Sequence, residues 1–386
     1  MKSIINKLRG GSSPLREAEP LVSEAEVKKA LSKIIDPDFN RDIVTLGFVK
    51  NLSISANSLG GADVSFDLEL TTPACPFKEK FKTDAEKLVK KLSTVTKVTV
   101  NITSRNNRLP KSNQTGTALS TVRNIIAIAS GKGGVGKSTT AVNLAYSLKN
   151  TGAKVGLLDA DISGPSIPKM TGVLNPDTMD GNFVVPPQKD GIRIISCAMF
   201  KTENSANILR GPMASSMITQ FLTQVRWGEL DYLIIDYPPG TSDIQLTLSQ
   251  VASIDAAILV TTPQEVATID CDKAAEMFNK LNVPVVGVIE TMSFFEPKRG
   301  EKYFIFGKDG AKKIAEKYGF PVIAQIPIEE QVSQNADKGI PIVNLRQSSN
   351  ASLEYEKAAG LLARSISILN SANDFALESF KLKWRT

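Results

Sequence analysis

Residues 131–139 read Gly131-Lys132-Gly133-Gly134-Val135-Gly136-Lys137-Ser138-Thr139, a run that fits G-x-x-x-x-G-K-[ST]. Few patterns constrain a fold as tightly. Successive backbone N–H groups must converge on a phosphate, which calls for glycines at backbone angles that other residues resist. A helix should begin at about Lys137, so that the positive end of its dipole faces the same charge. A buried parallel strand should come first, and Asn124–Ser130 is an apolar run of that kind. Strand, glycine loop and helix therefore arrive in the required order. The ligand expected is ATP, with Lys137 reaching its β- and γ-phosphates and the Ser138 hydroxyl holding Mg²⁺.

The pattern around the loop extends this architecture. From about Val122 onward, strand patterns at Val155–Asp159, Ile192–Ser196, Tyr232–Asp236, Ala256–Val260, Val283–Glu290 and Val322–Ile326 alternate with helical stretches. Those helices are expected at Lys137–Asn150, Ala214–Trp227, Gln264–Leu281 and Lys308–Tyr318. The fold class is therefore α/β: a mostly parallel, doubly wound sheet, with its ligand at the carboxyl ends of the strands.

A smaller α+β domain precedes it. Ser23 and Glu26 are spaced as a capping box for a first helix. Strand patterns follow at Gly47–Ile54, Ala62–Leu70 and Val95–Ile102, with a helix at about Phe77–Leu92. The domain boundaries read as an N-terminal extension over 1–20, the small domain over 21–104 and a linker over 105–121. The nucleotide domain then covers 122–370, and a tail covers 371–386.

The chain has 386 residues and no histidine, which removes histidine bases, triads and metal ligands together. Its net charge of +6, without a long basic block, does not point to nucleic acid. No apolar run reaches the roughly 18 residues that a membrane span needs. The N-terminus lacks a signal-type apolar region, so the expected location is cytoplasmic, with an organellar stroma or matrix left open.

With no histidine available, carboxylates must carry the chemistry. Tyr232-Leu-Ile-Ile-Asp236 is an apolar strand ending in an acid that could hold Mg²⁺ through water. Pro238–Asp243 follows as a rigid loop able to sense a γ-phosphate. A second strand ends at Asp159-Ala-Asp161. Asp161 is the natural group to orient an attacking water, and Asp159 would lie nearer Mg²⁺. The competing reading of each aspartate is a turn or helix-cap residue.

Several of these stretches resemble a known family. The loop with its additional Lys132 is similar to the deviant Walker A loop of the MinD/ParA/nitrogenase-iron-protein class. Asp161–Ser166, Arg210–Met213, Trp227–Tyr232, Pro238–Thr241 and Val260–Gln264 resemble the Mrp-type iron–sulfur carrier ATPases. Asp36-Pro-Asp38 and Thr71–Pro76 resemble the small cluster-assembly domain that precedes such ATPases. The likeness is greatest to the branch of plastid high-chlorophyll-fluorescence scaffolds and their bacterial relatives. It implies a homodimer that hydrolyses ATP and delivers iron–sulfur clusters to apo client proteins; charge and hydropathy add the expectation of neither nucleic acid nor membrane as partner. It also implies that Lys132 contacts the nucleotide of the partner subunit, where its charge would act as an arginine finger does.

Two departures from the family stand out. The stretch after Glu290-Thr-Met-Ser293 holds no cysteine, where typical members carry the C-x-x-C pair for a shared [4Fe–4S] cluster. Of Cys75, Cys197 and Cys271, Cys75 is the best remaining candidate ligand, placed between Pro73 and Pro76 near an expected helix start. The second departure is Thr291, where the family has an asparagine that reads adenine; a hydroxyl lacks the paired donor and acceptor of an amide. The leading expectation is an ATP-hydrolysing cluster carrier. Its rivals are a positioning-type ATPase that cycles on a surface through the Phe375–Arg385 tail, and an assembly ATPase that binds no cluster.

Overall fold

The computed structural model describes residues 22–57, 60–104, 118–162, 164–173, 178–180, 183–200, 211–240, 243–298 and 300–383. The expected extension over 1–20, most of the linker, Arg210, Thr241 and Ser242 lie outside them. So do the side chains of Asp243 and of the tail residues Leu377, Phe380, Lys381, Trp384 and Arg385. The chain divides into two compact units, and the second contains Thr71–Pro76 as well as everything from Arg105 onward.

The first unit begins with α1 (Glu24–Leu31), whose N-terminus is closed by the Ser23–Glu26 capping box. The two-residue strands β1 (Ile35–Asp36) and β2 (Arg41–Asp42) follow, then β3 (Val49–Ala56), β4 (Ala62–Leu70), α2 (Lys78–Lys90) and β5 (Val95–Ser104). β4 is the middle strand, antiparallel to β3 and parallel to β5. Its side chains alternate strictly, with Ala62, Val64, Phe66, Leu68 and Leu70 buried and the residues between them half-buried. That period of two lets one face of the sheet pack while the other carries acids such as Asp63 and Asp67. The amphipathic α2 buries Phe81, Ala85 and Val89 at helical spacing.

The second unit runs β6 (Val122–Ala129), α3 (Lys137–Asn150), β7 (Val155–Asp159), α4 (Ile167–Thr171), β8 (Thr178–Asp180), β9 (Phe183–Val185), β10 (Gln188–Lys189) and β11 (Ile192–Ser196). It continues with α5 (Gly211–Thr223), β12 (Leu230–Asp236), α6 (Asp243–Ala252), β13 (Ala256–Thr261), α7 (Glu265–Lys280) and β14 (Val285–Glu290). It closes with α8 (Gly310–Tyr318), β15 (Val322–Gln325), α9 (Glu330–Asp337) and α10 (Asn350–Lys383).

The main sheet has the order β10-β11-β7-β12-β6-β13-β14-β15. Every neighbouring pair is parallel except β10 with β11. Both faces are covered, so the central strands are mostly apolar rather than alternating. Ile126, Ile128, Leu157 and Ile234 point into one core with α3 and α10, through Leu144, Tyr355 and Leu362. Ile125, Ala127, Leu158 and Leu233 point into the other with α5 to α8, through Leu222, Leu248, Phe278 and Ile314. After β6 the chain moves toward β7 and β11, returns to place β12 beside β6, then leaves on the other side through β13. The glycine loop therefore leaves the sheet at its switch point.

Candidate functional site

Register places the acids. Asp236 of β12 lies opposite Asp159 of β7 and opposite Ile128 of β6, and Ser196 of β11 lies opposite Asp159. One row across the carboxyl ends of adjacent strands thus carries Ser196, Asp159 and Asp236. The glycine loop starts three residues beyond Ile128 on the neighbouring strand. Its path is fixed by close packing: a Cβ on Gly131 would sit 1.9 Å from the Asp270 carbonyl oxygen of α7. Gly136, the residue before α3, has φ 77°, a left-handed angle that glycine adopts without strain.

The loop lysine is already paired. Lys137 is 6% exposed; its Nζ donates to Asp236 Oδ1 at 2.6 Å and lies 3.6 Å from Asp161 Oδ2. Asp236 is fully buried, and its second oxygen, Oδ2, makes no hydrogen bond of normal geometry. Burial raises the Asp236 carboxyl above the ordinary carboxylate range, while Lys137 and the nearby Ser138 hydroxyl oppose that rise. Asp159 is also fully buried, and burial together with the charge of Asp236 pushes it up to about 7. Its Oδ2 accepts from Ser196 Oγ at 2.9 Å and from the Ile167 amide at 3.3 Å. Its Oδ1 accepts from the Asp161 amide at 3.2 Å. Asp161 accepts from the Gly164 amide at 3.2 Å through Oδ1, which leaves Oδ2 toward Lys137.

Lys132 is exposed, while its carbonyl accepts from Ser130 Oγ at 2.9 Å. Beside the loop, the Gly240 amide donates to the Ser130 carbonyl at 3.3 Å. The buried Gln245 of α6 donates through Nε2 to the carbonyls of Pro238 (2.7 Å) and Gly240. Gln245 and Ser196 thus complete the site, yet neither carries a motif signal in the sequence. Only their position, in the first turn of α6 and at the end of β11, marks them.

Thr291 lies behind the loop. It is buried, and its hydroxyl donates to the Val135 carbonyl (2.6 Å), with the Thr261 carbonyl at 3.1 Å. A hydroxyl has one proton to give, so the loop backbone takes it.

The three cysteines do not converge. Cys75 is half-buried in Thr71–Pro76, three residues before α2 begins, so it sits outside the helix's first turn. Its segment packs at the start of β12, where the Thr72 and Tyr232 hydroxyls lie 2.5 Å apart. Cys197 is buried against the Ile162 carbonyl. Cys271 is buried as well, and burial, then the charge of Asp272, pushes its thiol up to about 12. Among the described residues no group of three histidine, cysteine or acidic side chains is placed to hold a metal ion. No helix among them is long and apolar enough to cross a membrane.

Comparison with known proteins agrees with this geometry. The ParA family, described as NUBPL iron-transfer P-loop NTPase, matches residues 121–363. An iron–sulfur cluster assembly protein family matches residues 24–102. The chain is 47% identical over 338 residues to the chloroplastic Fe–S cluster assembly factor HCF101 of Arabidopsis thaliana, covering 86% of this chain and 62% of that one. It is 40% identical over 343 residues to the iron–sulfur cluster carrier protein of Deinococcus radiodurans, covering 88% and 95%. The chain therefore spans under two thirds of the plant relative and nearly all of the bacterial one. Among solved structures, a nucleotide-binding protein from Archaeoglobus fulgidus in complex with ADP is 37% identical with a TM-score of 0.52, covering 60% of this chain and 92% of that one. The chain belongs to the ParA-type family of iron-transfer P-loop NTPases.

Proposed function

We propose that this chain binds ATP at residues 131–139, hydrolyses it, and uses the cycle to deliver iron–sulfur clusters, its cargo, to apo client proteins. The observation that carries the reading is the buried Lys137 ammonium between Asp236 and Asp161 at the switch point. Triphosphate oxygens would compete with Asp236 for that ammonium, and the loop amides would take the remaining phosphate charge. The unused Asp236 Oδ2, buried beside Ser138, suits a hard cation, so these two residues would hold Mg²⁺. When bound, the ion neutralises charge on the β- and γ-phosphates.

Asp161 Oδ2 orients the attacking water. The water oxygen bonds to the γ-phosphorus, the bond to the β–γ bridging oxygen breaks, and ADP and phosphate leave. Asp161 takes the water proton. Asp159 stays behind this chemistry as a support, fixed by Ser196 and the Ile167 amide. The Pro238–Gly240 segment, pinned by Gln245, is the element positioned to respond to the γ-phosphate. Thr291 supports the loop through Val135 and leaves the base to other groups. Exposed Lys132 would complete the nucleotide site of a partner subunit, so turnover requires a homodimer. The setting fits the cytoplasm or an organellar stroma.

For the cargo, Cys75 is the one thiol of the three that is not fully buried. A dimer supplies two such thiolates, and a four-ligand cluster would take the others from the client or from a small thiol. Anaerobic reconstitution of wild type and Cys75→Ala with iron and sulfide, read by absorption, tests this. A cluster chromophore in wild type that Cys75→Ala loses is the expected result. No chromophore in a wild type that still hydrolyses ATP would leave an assembly ATPase without cargo of its own. Undiminished turnover in Lys137→Ala would remove the enzymatic half.

A further inference from the structure

The small unit carries a groove that nucleotide chemistry does not use. One wall is a single face of α2 and its cap, where Phe77, Lys80, Asp84, Lys87 and Lys91 recur at helical spacing. The other wall is the stretch from Lys33 to Pro37 that follows α1. Between them lies a volume of about 450 Å³.

The floor and the rim differ in kind. Ile34 and Phe81 are buried at the bottom, Phe77 and Leu88 are half-buried, and Ile35 is left 52% exposed. Lys33, Lys80, Lys87 and Lys91 stand exposed around them, with Asp84 the single carboxylate in the lining. None of these four lysines has an ion-pair partner among the described residues. An apolar strip ringed by uncompensated positive charge suits a ligand that is apolar on one side and acidic on the other.

The chain's own ends have the wrong sign to fill it. Residues 1–21 carry Lys2, Lys7, Arg9 and Arg16 against Glu17 and Glu19. Residues 372–386 carry Lys381, Lys383 and Arg385 against Asp374 and Glu378. A flat anionic membrane would reach the lysines but could not enter to the floor.

We propose that this groove docks an acidic amphipathic segment of a partner protein. Carboxylates of the segment would sit on the lysine rim, and one or two apolar side chains would cover Ile35, Phe77 and Leu88. Each rim contact alone is weak, because water and salt screen exposed ion pairs. The rim therefore sets on-rate and partner choice, and the floor sets residence time. The site stands whether or not the chain carries a cluster.

Fluorescence anisotropy with the full chain tests it, using a labelled peptide about 14 residues long in which Glu is interrupted by Leu and Phe at helical spacing. The controls are an all-Glu peptide and the same amphipathic peptide with Lys for Glu. The acidic amphipathic peptide should bind more tightly than both, and weaken as the Debye length falls from about 10 Å at 0.1 M salt to about 3 Å at 1 M. The triple variant Lys80→Glu, Lys87→Glu, Lys91→Glu should lose at least about tenfold in affinity, or 1.4 kcal/mol, and turn to the lysine peptide. Ile35→Ser should weaken the amphipathic peptide and leave the all-Glu peptide unchanged. All four side chains are exposed, and an unaltered far-UV circular dichroism spectrum and thermal midpoint will report an intact chain. Equal binding by wild type and triple variant, or by all-Glu and amphipathic peptides, would overturn the proposal. So would phosphatidylserine vesicles whose binding Ile35→Ser weakens as much as it weakens the peptide's.

Discussion

Lys137 and Asp236 are 2.6 Å apart, 99 residues apart in sequence, and both withdrawn from water. The pair joins the first residue of α3 to the last residue of β12 across the mouth of the glycine loop. Asp161 stands 3.6 Å from the same ammonium and Asp159 lies beside Asp236 in register, so one cation serves three acids. Taking charges out of water is costly, and their mutual attraction offsets that cost only while every partner is present.

Removing the cation should therefore be costly before any ligand is added. Lys137→Ala leaves Asp236 buried without its counter-charge, a loss of about 3–5 kcal/mol near neutral pH. Lowering the pH should recover part of it, since protonation removes the stranded charge. Urea unfolding at pH 5 and pH 7.5 measures both effects. Turnover should fall about 10²–10³-fold or more.

Where charge and chain position are local, the sequence was already explicit. The loop, its flanking strand and helix, the capping box at Ser23 and the acids at strand ends are contiguous signals. What was hidden depends on partners far along the chain. Thr72 meets Tyr232 across 160 residues, which draws Thr71–Pro76 into the second unit. The periodicity of α10 is carried by small residues such as Ala351, Ala358, Ala359 and Ala363, so its seam against the sheet was faint. Thr291 illustrates the same limit: its chemistry was legible, but the Val135 carbonyl that claims its proton was not.

Asp159 should give the unliganded protein an inverted pH dependence. Its carboxyl is held up to about 7 by burial and by Asp236, above the 3.8 of an unperturbed aspartate. The folded state therefore keeps a proton that the unfolded state releases, so stability falls as pH rises from about 4 through 7. Each unit in that window costs up to about 1.4 kcal/mol. Asp159→Asn should flatten the slope in Mg²⁺-free buffer, as read by denaturant midpoints from pH 4.5 to 8. A variant with an unchanged slope would place the titration elsewhere.

Two loop glycines should fail in different ways. A Cβ at residue 131 collides with the α7 backbone at Asp270, which has no flexible end to move aside. Gly131→Ala should cost about 1–3 kcal/mol or more, visible as a lower denaturant midpoint. A Cβ at residue 133 meets nothing within 4 Å. Gly133→Ala should leave stability within about 0.5 kcal/mol of wild type. Its methyl would occupy the space into which phosphate is proposed to settle, so ATP affinity should drop instead, measured by titration calorimetry.

Tyr232 lies near the start of β12 and Asp236 ends it, so the contact with Thr72 and the acid that pairs Lys137 share one strand. Tyr232 is fully buried, and burial raises its hydroxyl well above the ordinary tyrosine range. It therefore acts there as a neutral hydrogen-bonding group. Tyr232→Phe removes the hydroxyl facing Thr72 while keeping the ring, which should cost about 0.5–1.5 kcal/mol. Thr72 would still accept from the Ala74 amide at 3.2 Å, so the turn itself should persist. The Thr71–Pro76 segment should open more often, and Cys75 should react faster with a thiol reagent while Cys197 and Cys271 stay protected. Equal Cys75 reactivity in Tyr232→Phe and wild type would mean that other contacts hold the segment closed, among them the hydrogen bond between Ser367 of α10 and Thr71.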